Sequence, residues 1–313
     1  MFDKIVIKAR INIDDIDTIV LRNSLEQCTE GDEVFYKSTA YANFSGCFIE
    51  IRGDTLRCKC SIHKLYSKGK TGKLDNSRPM TFAIAVRTIK ELLLMLSVNP
   101  ANAIVSYYEI GITMKLSSPA NEYISLVQEA SGRILWNDAN FPAMRQKTTE
   151  KSKYYRKVMK IYDKSFEASE KGRDVGDNIL RIETVYKRQS VPITELMDNF
   201  FLTKIGRIFY TDWSGLKFTR ELSATKGVKL SQLDKAREIN RLGLTKYKAH
   251  YRKMYLDGKL TKKQWETIRT FATAWPKERE KFVEEVSPEE KEFKDRLLAG
   301  FQIGIVTPVK RNK

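Results

Sequence analysis

Histidine and cysteine are scarce in this chain, and their positions exclude several kinds of site. The 313 residues include two histidines, His63 and His250, and four cysteines. The two histidines lie far apart, so a paired-histidine metal motif is absent. All cysteines fall in the first fifth of the sequence, and Cys58-x-Cys60 lacks the two-residue gap of common zinc knuckles. We interpret them as thiols packed in strands and, without an export signal, expect no disulfide.

Long apolar runs are also missing. No run approaches the roughly 18 to 20 residues that span a bilayer, and the N-terminal sequence lacks the apolar region of a secretory signal. Gly69-Lys70-Thr71 has no glycine at the first position of the P-loop spacing, which argues against nucleotide triphosphate binding. We therefore expect a cytoplasmic protein that does not contact a membrane.

Positive charge is what the sequence has in excess. It contains 56 Lys and Arg against 39 Asp and Glu, which gives a formal net charge of +17. A surface of this sign attracts phosphate polyanions, so nucleic acid is the leading partner class. The hydrophobic content of 42% is enough to form a core, so we expect a globular protein.

Two β-patterned runs, Val158–Lys164 and Ile179–Lys187, form the centre of the predicted fold. A polar segment that contains glycine joins them, as is typical of neighbouring strands. Side chains alternate across a strand, so a phenol, an acid and several bases are expected on exposed sheet faces. The residues that share one face are Val158, Lys160, Tyr162 and Lys164 in the first run, and Arg181, Glu183 and Lys187 in the second.

Further strands are predicted earlier in the chain. Lys4–Ile13 alternates charged and apolar residues, and Cys47–Ile62 is typical of a hairpin with a Gly53-Asp54 turn. Ala103–Leu116 is a third β-forming run, which contains Glu109 close to Gly111. Glu109 is either a site residue or the partner of a base on a neighbouring strand, and the sequence alone favours the second interpretation.

The order of the elements predicts an α+β protein. We expect a mainly antiparallel central sheet of five or six strands with helices on one face, in a domain covering residues 1–215. Residues 216–313 are predicted to be a helical C-terminal region that binds DNA or has an accessory role. The predicted helices are Met80–Leu96, Pro119–Ser131, the segment beginning at Pro192, Ser231–Arg241, Thr245–Leu256, Thr261–Trp275 and most of Lys277–Leu298.

Basic segments with interleaved tyrosines are the candidate DNA contacts. Lysines on mobile stems suit contacts to a phosphate backbone, and tyrosines can stack on unpaired bases. The alternative is that the tyrosines pack under the edge of the sheet. The candidates are Lys68, Lys70 and Lys73 in an expected flexible loop, and Lys153, Tyr154, Tyr155, Arg156 and Lys157 before the central strand.

Four motifs together resemble the replication initiator endonucleases of filamentous phages, which are related to plasmid replication initiation factors. In order they are S-I-H-K-L-Y, Y-Y-E-I-G-I, K-I-Y-D-K-S-F-E and L-R-I-E-T-V-Y-K-R, within residues 49–207. The resemblance implies rolling-circle replication, in which a tyrosine attacks a phosphodiester of origin single-stranded DNA and becomes joined to the 5′ phosphate. The sequence departs from many nicking enzymes in having no histidine pair.

Carried onto this chain, the resemblance implies Tyr162 as the nucleophile with Lys164 beside it. It implies Glu109 and Glu183, with His63, as ligands of Mg²⁺ or Mn²⁺. Origin DNA and a host helicase are the implied partners, and the cytoplasm of a bacterial host is the implied location. Two alternatives stay open: a non-catalytic nucleic-acid binding protein, and a relaxase for plasmid or transposon mobilisation.

Overall fold

The computed structural model describes residues 2–38, 47–76, 80–148 and 156–305. The strands are β1 (Phe2–Arg10), β2 (Glu26–Glu30), β3 (Glu33–Lys37), β4 (Cys47–Arg52), β5 (Thr55–Ser61), β6 (Ala103–Lys115), β7 (Val127–Ala130), β8 (Arg133–Asn137), β9 (Arg145–Thr148), β10 (Lys157–Asp163), β11 (Ile179–Pro192), β12 (Lys217–Phe218), β13 (Glu221–Ala224) and β14 (Phe282–Glu285). The α-helices are α1 (Ile16–Arg22), α2 (Ile62–Thr71), α3 (Phe82–Met95), α4 (Ala120–Leu126), α5 (Lys164–Ser169), α6 (Ile193–Leu196), α7 (Asn199–Ser214), α8 (Leu230–Leu242), α9 (Leu244–Leu256), α10 (Lys262–Glu278) and α11 (Pro288–Ile305).

One large sheet organises most of the described chain. Twelve of its strands lie in the order β12-β7-β8-β9-β10-β11-β6-β1-β5-β4-β3-β2, and β13 and β14 form a separate pair. Neighbouring strands in this order pair antiparallel. The sheet has two halves of similar topology, since β1 and β6 are each followed by a short helix and a meander that returns to pair with them. β1 and β6 also pair with each other, so residues from both halves meet at the centre.

Alternation along the central strands separates a core face from a polar face. On β11, Leu180 and Ile182 join the main hydrophobic core, as do Ile110 and Ile112 on β6. The residues between them on the same strands carry the polar groups described below. Helices α3, α6, α7 and α11 contribute buried apolar side chains to the core. This confirms the predicted α+β class with an antiparallel sheet.

The expected number of strands was wrong. The sheet has twelve strands rather than five or six, and β2, β3, β8 and β9 lie in segments where the sequence analysis predicts no strand. The sequence of β2 shows little apolar alternation, because four of its five residues are exposed and polar side chains suit such positions. Such strands are stabilised by pairing with their neighbours, which a local pattern does not reveal.

Three local expectations are also corrected. Residues 67–71 continue helix α2, which ends at Gly72 with φ of 71°, so they are not a flexible loop. Lys164 does not extend the strand, because Asp163 caps α5 by accepting a hydrogen bond from the Phe166 N–H. Cys47 and Cys60 are direct register partners and form a disulfide.

The C-terminal region packs around two different cores. The predicted helices at residues 231–275 are present as α8, α9 and α10, and they enclose a small core that contains Ile239, Tyr247 and Trp275. Helix α11 instead places Phe293 and Leu297 in the main core. The C-terminal region is therefore not one packing unit.

No described helix combines the length and the apolar composition needed to cross a bilayer.

Candidate active site

Arg181 is the fixed centre of the polar face. Its side chain is 2% exposed and donates from Nε to Glu183 Oε1 at 2.7 Å and from Nη2 to Asp3 Oδ2 at 2.8 Å. Nη1 donates to the carbonyl oxygen of Asn76 at 2.9 Å and to Thr113 Oγ1 at 2.8 Å. A planar guanidinium with this many acceptors sets the positions of two acids at once.

Tyr162 reaches one of these acids. Its hydroxyl donates to Glu183 Oε1 at 2.8 Å. Tyr162 lies opposite Arg181 in the register of β10 and β11, and Lys160 lies opposite Glu183. The strand face expected from alternation therefore brings Tyr162 and Glu183 together.

Glu109 completes a group of three buried carboxylates. It lies on β6, and its Oε1 accepts a hydrogen bond from the Tyr107 hydroxyl. One carboxylate oxygen from each of Asp3, Glu109 and Glu183 lies within 4.8 Å of the others. Lys160 Nζ lies 3.5 Å from Glu109 Oε1 and 3.7 Å from Glu183 Oε2, so it bridges two of the acids.

Gly111 provides the space in which two of these side chains fit. It is paired with Glu183 in the sheet. A Cβ at this position would lie 3.1 Å from Glu183 Cγ, 3.2 Å from Arg181 Nη2 and 3.0 Å from the Ile182 carbonyl oxygen. Any larger residue at position 111 would therefore displace the side chains of Glu183 and Arg181.

The ionisation of Asp3 is controlled by its partners. Burial favours the neutral acid, but Arg181, His63 and the hydrogen bond from Asn76 outweigh it and hold the pKa of Asp3 well below its usual range. Asp3 is therefore an anion in the folded protein at neutral pH.

The ionisation of Tyr162 is shifted the other way. Burial, followed by the charge of Glu183, raises the pKa of its phenol well above 10. The phenol thus keeps its proton at neutral pH and donates it in the hydrogen bond to Glu183.

A cavity of about 380 Å³ opens beside Tyr162 and Glu183. Basic side chains surround it, and Glu167 and Asp138 are the acids on its rim. The bases are Arg145, Lys147, Lys160 and Lys171. A pocket lined by a phenol and several cations is suited to a phosphate group.

The concentration of positive charge is visible in the lysine pKa values. Burial, followed by Lys64, Lys164 and Arg173, lowers the pKa of Lys171. Burial, followed by Arg181, lowers the pKa of Lys164 to about 8, although its ammonium donates to Glu167 at 2.5 Å. These neighbouring cations repel one another, and a bound anion would stabilise their charged forms.

His63 lies beside the carboxylate group but is not one of its three members. It is buried at the start of α2, interacts electrostatically with Asp3, and lines a second cavity together with Arg181. Asp3 occupies the third position in the group for which we expected His63. The role of His63 as a metal ligand remains a prediction.

The expected DNA contacts are distributed over several surfaces. Lys68 and Lys70 are in the last turn of α2, and Lys73 follows it. Arg156 is exposed just before β10. Lys157 is on the opposite face of β10 from Tyr162 and is ion-paired with Asp212 of α7, so it is not brought to the site. Residues Lys153, Tyr154 and Tyr155 lie outside the described part of the chain.

The carboxylate group fits a hard divalent cation. Its donors are all oxygens, which Mg²⁺ and Mn²⁺ prefer. Lys160 is 36% exposed and its contacts to Glu109 and Glu183 are long for ion pairs, so its ammonium can move aside for another cation. Arg181 cannot, because its side chain is buried and donates four hydrogen bonds.

Sequence reasoning missed Asp3, Tyr107 and Lys171 as site residues. The sequence analysis placed Lys160 and Arg181 on the correct strand faces, because side chains alternate with a period of two along a strand. Tyr107 carries the same signal, since it lies two residues before Glu109 on β6. Asp3 has no local signal, because only the pairing of β1 with β6 brings it to the site.

Comparisons with known proteins give a likeness in shape to solved structures. No family model and no curated protein matches the chain. Among solved structures, the chain is similar to a rolling-circle replication initiator protein from Geobacillus stearothermophilus, with 8% identity and a TM-score of 0.40. The match covers 74% of this chain and 89% of the other. A likeness at this level carries no argument about activity, so the function is argued from the site itself.

Proposed function

We propose that this protein is a replication initiator endonuclease that nicks origin single-stranded DNA in rolling-circle replication. The observation that carries the proposal is the Tyr162 hydroxyl, bonded to Glu183 within a group of three buried acids and facing a cavity surrounded by bases. A phenol next to a proton acceptor and a phosphate-binding pocket are the parts that transesterification at phosphorus requires.

The geometry suggests how the residues act. Arg145, Lys147 and Lys171 hold the scissile phosphate in the cavity. Tyr162 Oη attacks phosphorus and its proton passes to Glu183, while the bond from phosphorus to the 3′ oxygen breaks. The 3′ oxygen becomes a hydroxyl by taking a proton from solvent, to which Glu183 returns the one it received. The product is a 5′-phosphotyrosine, which conserves the energy of the phosphodiester, together with a 3′ end for a polymerase.

Asp3, Glu109 and Glu183 would hold Mg²⁺ or Mn²⁺. When bound there, the ion would supply positive charge next to the phosphate oxygens. Binding is expected to stabilise the fold by about 2.7 kcal/mol at a metal concentration 100-fold above Kd. Thermal unfolding with and without the ion tests this: the wild type should gain stability, and Glu109→Gln should gain much less. An equal gain in both proteins would contradict the assignment.

The region 219–286 is proposed to bind DNA. Helix α9 exposes Lys248 and Arg252 at a spacing of four residues, and α10 exposes Lys263, Thr270 and Lys277. Such a face suits phosphate contacts. The double variant Lys248→Glu/Arg252→Glu should weaken duplex binding while leaving Tyr162 chemistry on short single strands unchanged. A host helicase is the proposed partner for unwinding, in the cytoplasm of a bacterial host.

The nicking activity is tested with a library of labelled, randomised single-stranded DNA and Mg²⁺ or Mn²⁺. The wild type should form an adduct that survives denaturing electrophoresis, and Tyr162→Phe should not. Tyr186→Phe is the matched control, because Tyr186 lies on the core face of β11, stacked on Tyr108. The proposal is wrong if Tyr162→Phe forms the adduct as well as the wild type.

The same experiment separates the two other candidates. A non-catalytic binding protein would retard the DNA without forming an adduct, with or without a chelator. A relaxase would form the same adduct, and the sequence of the recovered nick site would show whether it belongs to a replication origin or to a transfer origin.

A further inference from the structure

A second basic surface lies in the N-terminal half of the sheet, on the same face as the candidate active site. On β1, β4 and β5, alternate residues are buried in the main core. The residues between them point to the opposite face of the sheet. They include four bases and an aromatic side chain that is 38% exposed, namely Lys4, Lys8, Arg57, Lys59 and Phe48.

The strand registers connect this surface to the site in one row. Phe48 on β4 is paired with Lys59 on β5, and Lys59 is paired with Val6 on β1. Val6 is paired with Tyr107 on β6, whose hydroxyl contacts Glu109. Directly paired residues point to the same side of a sheet, so Phe48 lies on the face that carries the acids. Five strand spacings of about 4.8 Å separate β4 from β10, a distance of about 24 Å.

A cavity of about 430 Å³ opens on this surface. Three bases, Lys4, Arg57 and Lys59, line it together with Phe48, and none of its described lining residues is acidic. Positive charge around an exposed aromatic ring is the combination that binds a single strand, because phosphates pair with the cations and an unpaired base stacks on the ring.

The acids on this part of the face are paired with other bases. Glu50 is opposite Arg57 in the register, but its ion pair is with Arg52 at 3.6 Å. Asp54, in the turn after β4, lies 3.7 Å from Arg10. Within the described ranges of the chain, no ion pair joins the four bases of this surface to an acid. Their charge is therefore directed to an external anion.

We propose that this surface binds a flanking segment of the single-stranded DNA that is cut at Tyr162, with one base stacked on Phe48. This inference rests on the proposed function. The exposed ring favours a single strand over a duplex, because bases within a duplex have no free face. A stacked strand advances about 3.4 Å per nucleotide, so the stacked base lies at most about seven nucleotides from the scissile phosphate. One half of the sheet thus holds the strand that the other half cuts.

The test compares the binding of two labelled single strands by fluorescence anisotropy, with chelator present so that neither is cut. Both contain the nick site recovered from the library above. The long strand extends about ten nucleotides on each side, beyond the distance to Phe48, and the short strand extends about two. Phe48→Leu removes the ring and keeps an apolar side chain. It should weaken binding of the long strand at least about fivefold and leave binding of the short strand unchanged.

Matched variants separate stacking from general effects on the protein. Phe48→Tyr keeps a ring and should bind the long strand like the wild type. Phe200→Leu removes a ring that is 79% exposed on α7 and should leave binding unchanged. Lys59→Gln should reduce the salt slope for the long strand by about 0.7, whereas Lys90→Gln should not change it. Thermal unfolding of each variant checks that the fold is retained.

The outcomes distinguish this inference from the proposed function. If the Tyr162 adduct forms but Phe48→Leu and Lys59→Gln bind the long strand like the wild type, the surface does not hold DNA and the proposed function stands. If Phe48→Leu weakens a duplex of the same sequence equally, stacking on Phe48 is wrong. If the wild type forms no adduct, the proposed function is wrong, and oligo-dT of the long length tests the surface alone: equal binding by Phe48→Leu and the wild type would overturn it.

Discussion

Arg181 shows how one residue can hold a site together. It is buried, and the acids it contacts come from β1 and from its own strand β11. A buried guanidinium is costly unless its donors are satisfied, and removing one partner leaves a charge uncompensated. The positions of Asp3 and Glu183 are therefore determined by the same requirement that keeps the protein folded.

Asp3→Asn should destabilise the protein by about 3 to 5 kcal/mol, because Arg181 loses a charged partner in a buried site. The loss should depend on pH. The pKa of Asp3 is lowered in the folded state, so its stabilising effect is present above the usual value of 3.8 and is lost as the pH falls below it. Urea unfolding of both proteins between pH 3 and 7, with chelator present, measures this difference.

Asp257→Asn is the control for Asp3→Asn, because Asp257 is exposed at the end of α9. It should change stability by less than about 0.5 kcal/mol. A similar small effect for Asp3→Asn would show that the Arg181 network does not support the fold.

Gly111→Ala should reduce both stability and nicking, because the added Cβ meets Glu183, Arg181 and a backbone carbonyl at 3.0 to 3.2 Å. Overpacking of this kind costs about 1 to 3 kcal/mol. Gly69→Ala on α2 is the matched change, since nothing lies within 4 Å of its added Cβ. It should leave stability unchanged or slightly increased. Thermal unfolding and the adduct assay together check both variants.

At the scale of elements, helix α11 closes the main core. It follows the small C-terminal core in sequence but packs against α7 and β6. Phe293 is fully buried and meets Phe218 edge to face, with ring centroids 5.3 Å apart. The helix thus ties the end of the described chain to the strand that carries Glu109.

Two adjacent leucines of α11 provide a direct test of this packing. Leu297 is 1% exposed and Leu298 is 41% exposed. Leu297→Ala should cost about 2 to 5 kcal/mol of unfolding free energy, while Leu298→Ala should cost less than about 1 kcal/mol. Chemical denaturation measures both. Equal costs would mean that α11 does not pack as described.

The whole molecule has a net charge of +17, and acidic and basic side chains are both present at the candidate site. Four bases line the cavity beside Tyr162, and the group of three buried acids includes Glu183, which also lines this cavity. In the proposed function, these bases attract a single strand and bring its phosphate next to the phenol.

The dependence of binding on salt should reveal these contacts. Each phosphate contact to a single strand contributes about −0.7 to the slope of log Kobs against log salt concentration. Lys171→Gln, at the cavity, should reduce the slope by about that amount. Lys90→Gln, on the exposed side of α3, should leave it unchanged. Fluorescence anisotropy at several salt concentrations gives both slopes, and equal slopes for Lys171→Gln and the wild type would remove Lys171 from the interface.

Local sequence patterns were sufficient to predict the α+β class, the central strands and the strand face that carries Tyr162 and Glu183. They could do so because alternation within a strand is a local property. Only strand pairing brings Asp3 to the other acids and joins twelve strands in one sheet. Those facts depend on which strands pair and in what register, and pairing is set by contacts between residues far apart in the chain.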